Sequence, residues 1–491
     1  MKIAVIGAGI GGLAVASLLA NDGHEVIVYE KNDTVGGKMN EIQAESFRFD
    51  TGPSLLTMPE LLEELFTCCG ENLDSYLELK PLKPLCRYFY KDGTIFDNFQ
   101  DLDRSLEEVQ RIAPEDRTAY KEFLSYTREL YEKVSTPFLF NPLFNFTDVK
   151  NLNFADLLDI DALSTVSKRI DSYFKSPYLR QFFKRFATYN GSSPYQAPAT
   201  LNVIPHVEIN RGGYYVKGGI YRIAEALTNL AERKGAEIRL NSTAKAIKME
   251  HEVVTGIVLA DGTKISCDLV VSNSDAYETY LHLLPHRDVP PLKKELISQT
   301  EPSCSGFVLL LGVDRKYEQL QHHNVFFSGD YEQEFRTIFE EKLPAEDPTI
   351  YIANTSASDP EHAVKGGANL FVLVNAPYLS DNVDWRNEKT GYAGLIKHKL
   401  QNYGLEGLQD AILYEKVITP LDFYKQYRSN RGSIYGTSSN SRLATFMRPG
   451  NKARSVEGLY LVGGSTHPGG GIPLVLLSAR HAYTLVKRYN T

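Results

Sequence analysis

A glycine-rich turn near the start of the chain is the first pattern that could do chemistry. Gly7, Gly9, Gly11 and Gly12 follow a short apolar run, and Glu30 ends a second one. Because glycine has no side chain, such a turn lets a pyrophosphate approach the backbone at the positive N-terminus of a helix. The Glu30 carboxylate can accept hydrogen bonds from an adenosine ribose and would repel a 2′-phosphate. The pattern predicts a dinucleotide site, which either NAD or FAD could fill.

The elements around this turn are those that a dinucleotide site requires. Lys2 to Ile6 is typical of a short buried strand, and Ile10 to Asn21 is rich in alanine and leucine, as a buried helix would be. Asp22-Gly23 predicts a turn, and Glu25 to Tyr29 predicts a second strand. A strand, a helix and a second strand in this order form a βαβ unit with parallel strands.

A second glycine pair follows this unit. Gly36-Gly37-Lys38 lies just beyond Glu30, and residues 49–54 (FDTGPS) come next. Paired glycines let the chain pass close to a bound cofactor, and Lys38 can meet a phosphate. A plain turn is the alternative interpretation of Gly36-Gly37, and these residues alone do not exclude it.

The composition argues against several classes of protein. The chain has 491 residues, 43% of them hydrophobic and 23% charged, which is ordinary for a globular protein of two or three units. The net charge of -8 and the lack of a Lys/Arg cluster argue against a nucleic-acid partner. The five cysteines show no C-x-x-C spacing, so we expect a reduced protein without a cysteine-based metal site.

The first twenty residues imitate a secretory signal, but we interpret them otherwise. Their glycines would weaken the helix of a signal peptide, and the segment continues directly into the predicted strand at Glu25. Elsewhere no uninterrupted apolar run is long enough to span a bilayer, so we expect no transmembrane helix.

The rest of the chain alternates between helical and strand-like patterns. From about Pro59 to Val134 charged residues recur at helical spacing, and Tyr221 to Arg233 predicts a clear amphipathic helix. A meander and a second sheet are predicted further on, before a final strand at 459–462 and a final helix at 473–488. The strands predicted for the meander and the second sheet are 237–240, 245–250, 253–260, 264–271, 304–314, 349–356 and 369–375.

Three blocks carry a more specific likeness. They are Phe186 to Ala199 (FATYNGSSPYQAPA), Tyr214 to Gly219 (YYVKGG) and Gly458 to Pro473 (GLYLVGGSTHPGGGIP). Together with the two glycine motifs and Glu30, they resemble the bacterial carotenoid desaturases of the phytoene desaturase family, in the same order along the whole chain. The form of the first block is closer to the hydroxycarotenoid 3,4-desaturases than to the other branches.

The resemblance implies an α/β fold with a Rossmann-type FAD-binding domain, as in glutathione-reductase-like flavoproteins. This domain is expected to be discontinuous (1–75, 206–290 and 430–491), with a helical membrane-associated cap at 76–205 and a substrate-binding sheet domain at 291–429. The cofactor that the resemblance implies is FAD. Its expected binding residues are Gly7, Ala8, Gly9, Gly11, Gly12, Glu30, Lys31, Gly37, Lys38, Gly52, Pro53, Ser54, Ile247, Gly463, Gly464, Gly471 and Ile472.

The activity that the resemblance implies is FAD-dependent desaturation of an acyclic carotenoid end group, namely 1-hydroxycarotenoid 3,4-desaturation with hydride transfer to flavin N5. The flavin supplies the redox chemistry, and the protein aligns the substrate and excludes water. His206 and Glu208 lie two residues apart on a predicted strand, hence on one face, and are candidates for a proton acceptor or an orienting pair. Structural hydrogen bonds are the alternative role for this pair. His467 is expected to hold the flavin loop or to hydrogen-bond the cofactor rather than to do acid–base work, and no metal-binding cluster is visible.

The expected partners follow from a substrate that is insoluble in water. We expect a cytoplasmic protein in peripheral contact with the inner face of the cell membrane, through the aromatic stretch Pro137 to Phe146. A buried aromatic cluster is the alternative for that stretch. Because no second nucleotide motif is visible, oxygen or a quinone is the expected electron acceptor. A phytoene-type desaturase, an amine oxidase, a carotenoid or retinol saturase and a non-catalytic flavin- or lipid-binding module are the alternative functions.

Overall fold

The structure is a computed structural model that describes residues 1–52, 54–144, 160–285, 289–441 and 448–490. Most of the predicted strands are present within one or two residues of the predicted bounds. The strands are β1 Lys2–Ile6, β2 Glu25–Tyr29, β3 Glu41–Ala44, β4 Phe47–Asp50, β5 Leu79–Pro81, β6 Cys86–Phe89, β7 Ile95–Asn98, β8 Tyr214–Val216, β9 Glu237–Arg239, β10 Ala244–Glu250, β11 Val253–Leu259, β12 Lys264–Ser266, β13 Leu269–Ser272, β14 Ser305–Val313, β15 His323–Phe326, β16 Ile350–Ala353, β17 Ala368–Ala376, β18 Ile412–Ile418 and β19 Leu459–Leu461.

Helices surround these strands, and short helical turns connect several of them. None of the described helices is both long and apolar enough to cross a bilayer. The α-helices of six or more residues are α1 Ile10–Asn21, α2 Glu60–Cys68, α3 Leu102–Ile112, α4 Arg117–Val134, α5 Val166–Tyr173, α6 Pro177–Lys184, α7 Arg222–Arg233, α8 Pro291–Gln299, α9 Tyr331–Arg336, α10 Trp385–Asn402, α11 Pro420–Tyr427 and α12 Ile472–Asn490.

A five-stranded parallel sheet contains the predicted βαβ unit. Its strand order is β19-β13-β1-β2-β9, and every neighbouring pair is parallel. Helix α1 is buried along almost its whole length, because it packs against both α7 and α12. A helix that is covered on all sides needs apolar residues all round, which explains its run of alanine, valine and leucine.

The five strands of this sheet come from three distant parts of the chain, all within the ranges predicted for the FAD-binding domain. The predicted meander is present as β10-β11-β12, but the single strand predicted at 264–271 is wrong. Its second half, β13, leaves the meander and pairs with β1 and β19. All four residues of β13 are buried, as expected for an inner strand of a parallel sheet.

The second large sheet has seven strands, in the order β18-β14-β17-β16-β15-β6-β7. One face carries Phe307, Ile350 and Val372, which pack in one core with Trp385 of α10. Because successive side chains of a strand point to opposite faces, the alternate residues form the other face. That second face lines the cavity that is described below.

The expectation of a purely helical segment from Pro59 to Val134 is wrong at residues 79–98. Strands β5, β6 and β7 lie there, and β6 and β7 extend the seven-stranded sheet. The predicted division between a helical cap at 76–205 and a sheet domain at 291–429 therefore splits this sheet, because β6 and β7 lie in the first range and the other five strands in the second. Strands β5, β6 and β7 have only three or four residues each, and their stability depends on partners elsewhere, such as the parallel pairing of β6 with β15. The hairpin of β6 and β7 is local, but local spacing carries no signal for the pairing of β6 with β15.

Candidate functional site

One large cavity of about 740 Å³ is lined by residues of both sheets. Its volume is typical of a site for a small molecule or a cofactor. The glycine turn and Glu30 form one part of its wall, and the inner face of the seven-stranded sheet forms another. The predicted site residues in the wall are Gly7, Gly9, Gly11, Glu30, Lys31, Gly37, Lys38, Gly52, Ser54, Glu208, Gly463, Gly464, Gly471 and Ile472.

The glycine turn between β1 and α1 has the geometry that a close ligand requires. Gly7 adopts a φ of +94°, which other residues rarely adopt. A Cβ atom on Gly9 would lie 2.6 Å from Nδ2 of Asn273, and one on Gly12 would lie 2.1 Å from the carbonyl oxygen of Gly7. Gly12 does not line the cavity. Its role is to let α1 pack closely on the turn, so that the cavity reaches the N-terminus of the helix.

Glu30 is buried at the end of β2, where both of its carboxylate oxygens accept hydrogen bonds from the backbone. Oε2 accepts from the N–H of Ala8 at 2.7 Å, and Oε1 accepts from the N–H of Asn32 at 2.9 Å. Glu30 therefore fixes the shape of the glycine turn as well as lining the cavity. Ala8 does not line the cavity, since its N–H is used by Glu30 and its carbonyl accepts from Gly36.

Because both oxygens of the Glu30 carboxylate accept hydrogen bonds, the role of this residue can be tested. Glu30→Gln should lower the affinity for FAD about tenfold or more, because an amide has one oxygen and its NH₂ group would face a backbone N–H. A buried donor that loses its acceptor costs about 1–3 kcal/mol. Titration of apoprotein with FAD, followed by flavin fluorescence, measures the change. Glu25→Gln, an exposed carboxylate on the same strand, is the matched control. Equal FAD affinity for both variants would contradict this role of Glu30.

Lys38 lines the cavity but is held by the protein itself. Its Nζ donates to the carbonyl oxygens of Ser433 and Ile434, both at 3.1 Å. Burial lowers the pKa of this ammonium group, and the nearby Asp275 opposes the shift. Lys38 thus connects the second glycine pair to residues 433–434, and a contact with phosphate stays a prediction. Of the neighbouring predicted residues, Pro53 lies outside the described part of the chain.

The C-terminal glycine segment meets the N-terminal one across the cavity. A Cβ atom on Gly11 would lie 3.2 Å from the backbone nitrogen of Gly463. Gly463 and Gly464 follow β19, and Gly471 precedes the first turn of α12. Two helix N-termini, those of α1 and α12, therefore adjoin one cavity, and each favours an anionic group. Residues from both ends of the sequence thus form the wall that the resemblance predicts for FAD.

The expectation that His206 and Glu208 share the face of a strand is wrong. Val203–Pro205 is α-helical and His206–Asn210 forms a π-helical turn, so residues two apart do not point the same way. Only Glu208 lines the cavity. His206 packs on Tyr131, its Nδ1 lies 2.8 Å from Nδ2 of Asn210, and burial lowers its pKa to about 4. His206 therefore has the structural role that was the alternative.

Glu208 belongs to a buried cluster that the sequence did not reveal. The Arg185 guanidinium donates to Glu208 at 3.3 Å and to the Tyr88 hydroxyl at 2.8 Å, and the Tyr189 hydroxyl donates to Glu208. The side chains of Arg185 and Glu208 are 9% and 2% exposed, so this ion pair is removed from water. Arg185, Tyr189 and Glu208 all line the cavity. The cavity wall is thus polar at this point, and its polar side chains are hydrogen-bonded to one another.

A second polar chain crosses the inner face of the seven-stranded sheet. The hydroxyls of Ser54 and Tyr351 are hydrogen-bonded, and the Tyr351 hydroxyl lies 2.7 Å from Nδ1 of His323. Burial holds the pKa of His323 well below its usual value, so the imidazole is neutral. Tyr351 and His323 come from separate strands and Ser54 from a loop, and no sequence motif relates the three. The one sequence signal that could have placed His323 in the cavity wall was strand alternation within β15, which puts His323 and Val325 on one face.

Ile247 was expected to bind the cofactor, but the structure places it elsewhere. It is 1% exposed and packs in an apolar core with Ile6 and Tyr29 rather than lining the cavity. Thr243, Ala244 and Lys245, which lie at the start of β10, line the cavity instead. The difference arises because the middle of β10 is buried in the apolar core, while only its first residues adjoin Glu30 and the cavity.

The residues present fit FAD. Two hydroxyls of the cavity wall, those of Tyr29 and Ser429, are buried without a hydrogen-bond partner among the described residues. Buried polar groups are nearly always satisfied, so these are free to serve a polar ligand. The backbone of Gly9 and Gly11 would hold the pyrophosphate, Glu30 the ribose, and the 463–472 segment the flavin half.

Comparison with known proteins agrees with a flavin cofactor. A family model for flavin-containing amine oxidoreductases matches residues 10–485. The 4,4'-diaponeurosporene oxygenase of Staphylococcus haemolyticus is 34% identical over 483 residues, which cover 98% of this chain and 95% of the relative. The 4,4'-diapolycopene oxygenase of a Methylomonas species is 36% identical over 482 residues, which cover 98% of this chain and 96% of the relative.

Solved structures show the same fold at low sequence identity. An oxidoreductase from Methanosarcina mazei superposes with a TM-score of 0.68 at 18% identity, covering 99% of this chain and 100% of the other. Cyclohexylamine oxidase from Brevibacterium oxydans superposes with a TM-score of 0.63 at 16% identity, covering 100% of this chain and 99% of the other. At such identities the likeness concerns the fold alone.

Proposed function

Because the chain belongs to the family of flavin-containing amine oxidoreductases, it is an FAD-dependent oxidoreductase, and we propose that it oxidises an end group of an acyclic carotenoid. The names of the Staphylococcus and Methylomonas relatives support this substrate class over nearly the whole chain. The observation that carries the proposal is that the wall of one cavity includes both the dinucleotide turn and apolar residues of the seven-stranded sheet. The end of a polyene and the cofactor can therefore share one site.

The apolar part of the wall suits a hydrocarbon. Val308 projects from β14, Val325 from β15, and Phe371 and Leu373 from β17, and Leu85 adds to them. Burial of apolar surface stabilises a bound polyene by about 25 cal/mol for each Å² removed from water. The same residues limit the access of bulk water to the reacting carbon.

The proposed oxidation removes a hydride from a carbon at the end of the polyene. Bound flavin supplies the hydride acceptor. The polyene spreads the positive charge that is left behind, and loss of a proton from the adjacent carbon then forms a new double bond. Addition of water to the same carbon, with release of a proton, would form an alcohol instead. Glu208 is our candidate for the proton acceptor, while Arg185 and Tyr189 hold its carboxylate in place.

Two finer assignments are open to experiment. The names of the relatives favour 4,4'-diaponeurosporene or 4,4'-diapolycopene as substrate, with an oxygenated product. The second candidate is 3,4-desaturation of a 1-hydroxycarotenoid, which the resemblance of residues 186–199 favours. Two residues of that block, Thr188 and Tyr189, line the cavity. We further propose oxygen or a quinone as the electron acceptor, and a cytoplasmic location at the inner face of the membrane.

Product analysis distinguishes these assignments. The chain would be expressed in bacterial hosts that make 4,4'-diaponeurosporene, 4,4'-diapolycopene, a 1-hydroxylated acyclic carotenoid or phytoene, and the pigments would be analysed by absorbance and mass. Gain of oxygen on either diapocarotenoid supports the first assignment. Loss of two hydrogens from the hydroxylated carotenoid alone supports the second, and conversion of phytoene supports the phytoene branch. No change in any host, with FAD bound to the purified protein, would overturn the carotenoid proposal.

Membrane contact through the aromatic stretch 137–146 is a separate proposal. Its residues 145 and 146 lie outside the described part of the chain, and Phe138, Leu139 and Phe140 are half-buried. Their replacement by Ser should weaken binding to liposomes about tenfold or more, since each apolar side chain contributes about 1.5–3 kcal/mol when it leaves water. FAD content should stay unchanged.

Liposome flotation measures this effect. Leu292→Ser with Leu296→Ser, which removes exposed leucines from α8, is the control for nonspecific loss of apolar surface. Flotation of the triple variant equal to that of the wild type would show that the stretch forms an internal aromatic cluster instead.

A further inference from the structure

Arg448 carries a positive charge that has no carboxylate partner among the described residues. Its guanidinium donates to four neutral oxygens, namely the Pro468 carbonyl at 2.9 Å, Asn190 Oδ1 at 3.0 Å, the Thr437 carbonyl at 3.1 Å and the Ser439 hydroxyl at 3.4 Å. Its Nε is buried and has no partner in the same part of the chain. Arg448 is half-buried, and a charge that is partly removed from water is normally paired with an opposite charge, so this arrangement favours a nearby anion.

The guanidinium lies directly behind the wall of the cavity. A Cβ atom on Gly469 would lie 2.0 Å from Nη1 of Arg448, so the guanidinium packs directly against the backbone of the loop, where only glycine leaves room for it. The next two residues, Gly470 and Gly471, line the cavity, and α12 begins immediately after them. The positive N-terminus of that helix and the Arg448 charge therefore act on the same part of the cavity.

We propose that Arg448 stabilises the negative charge that FAD takes up on reduction, and thereby raises the midpoint potential of the bound flavin. The 463–472 segment is the part of the wall expected to face the flavin half of FAD. A charge near the flavin ring is one of the means by which a protein tunes the electronics of this cofactor. Arg448 acts through its field and is not a catalytic residue. The proposal rests on FAD as cofactor and is independent of the carotenoid substrate.

Arg448 keeps its charge in the range where flavoproteins are titrated. Burial lowers its pKa to about 10, so it is protonated between pH 6 and 8. The described titratable group beside it on the loop is His467, whose pKa burial lowers to about 4, and which is therefore neutral in this range. The other groups that face the guanidinium are uncharged: Asn190, Ser439 and two backbone carbonyls. The field at the cavity wall is thus constant over this range.

The proposal is tested by anaerobic redox titration of purified holoprotein against dyes of known potential. Asn190→Asp places a carboxylate on the guanidinium with almost no change of shape, and Arg448→Met removes the charge. Each should make reduction about tenfold less favourable, a fall of about 30 mV for a two-electron couple. Arg448→Lys keeps the charge and should keep most of the potential. Arg454→Met removes an exposed arginine from the same segment and should change nothing measurable.

The pH dependence of the potential separates a charge effect from a structural one. If Arg448 holds reduced FAD as an anion, the potential of the wild type changes by about 30 mV per pH unit, because one proton accompanies two electrons. In Asn190→Asp and Arg448→Met the slope should rise towards about 60 mV, because a second proton is taken up. Wild-type potential and slope in Asn190→Asp would overturn the proposal, even if Arg448→Met does not fold. A fall in Arg448→Lys as large as in Arg448→Met would also overturn it.

Discussion

Gly12→Ala is expected to bind FAD at least a hundredfold more weakly than the wild-type protein. A methyl group at this position would lie 2.1 Å from the carbonyl oxygen of Gly7. That carbonyl belongs to the turn itself and cannot rotate away, so α1 must move and the turn must change shape. Overpacking of this kind costs about 3 kcal/mol, and every 1.4 kcal/mol is about tenfold in affinity. Fluorescence titration of the apoprotein with FAD measures the loss.

Gly391→Ala is the matched control, because this glycine lies within α10 and a Cβ atom there would meet nothing within 4 Å. Alanine in a helix interior is favoured over glycine by about 1 kcal/mol, so this variant should bind FAD normally and unfold at a slightly higher temperature. FAD affinity of Gly12→Ala within about threefold of the control would mean that the turn can relax, and the steric argument would then fail.

Arg185→Met is expected to destabilise the protein by about 3–5 kcal/mol. The substitution leaves the Glu208 carboxylate buried without its counter-ion and removes the donor to the Tyr88 hydroxyl. The double variant Arg185→Met with Glu208→Gln should recover much of this loss, because no uncompensated charge remains. Urea denaturation of the holoprotein, followed by circular dichroism and flavin fluorescence, measures the free energy of unfolding.

The ion pair of Arg211 and Glu60 provides the comparison, since its side chains are 32% and 35% exposed. Arg211→Met should cost about 1 kcal/mol or less, as is usual for a pair in contact with water. If the double variant at 185 and 208 is as unstable as Arg185→Met alone, the loss comes from packing around the arginine and not from the unpaired carboxylate.

The sequence predicted the dinucleotide half of the site closely. The strand, turn, helix and second strand of residues 2–29 lie where the apolar periodicity placed them, and Glu30 and Gly37 lie in the cavity wall. These features depend on local rules: strand and helix periods, the freedom of glycine, and the packing of a helix on its own strand. The C-terminal glycine segment was found by its likeness to a family motif, which also joined the two ends of the chain.

The substrate half of the cavity was not predictable in this way. Its wall brings together Arg185, Glu208, His323 and Tyr351, which no local pattern relates to one another. The predicted strand at His206 failed because alternation of polar and apolar residues also suits a helical turn that packs on α4. Strands β6 and β7 were missed although they form a local hairpin across Asp92-Gly93; their place in the seven-stranded sheet depends on β15, which lies more than two hundred residues further along the chain.

By itself, therefore, the sequence determined the βαβ unit, the glycine turns and the place of Glu30, because steric and periodic constraints act between near neighbours. Only the tertiary structure decided which polar groups meet in the cavity. Arg448 and Asn190 are 258 residues apart and hydrogen-bonded, and Arg185 meets Tyr88 and Glu208 from three separate segments. Such contacts depend on how whole sheets and helices pack, and on the burial of charge that this packing imposes, which no window of sequence contains.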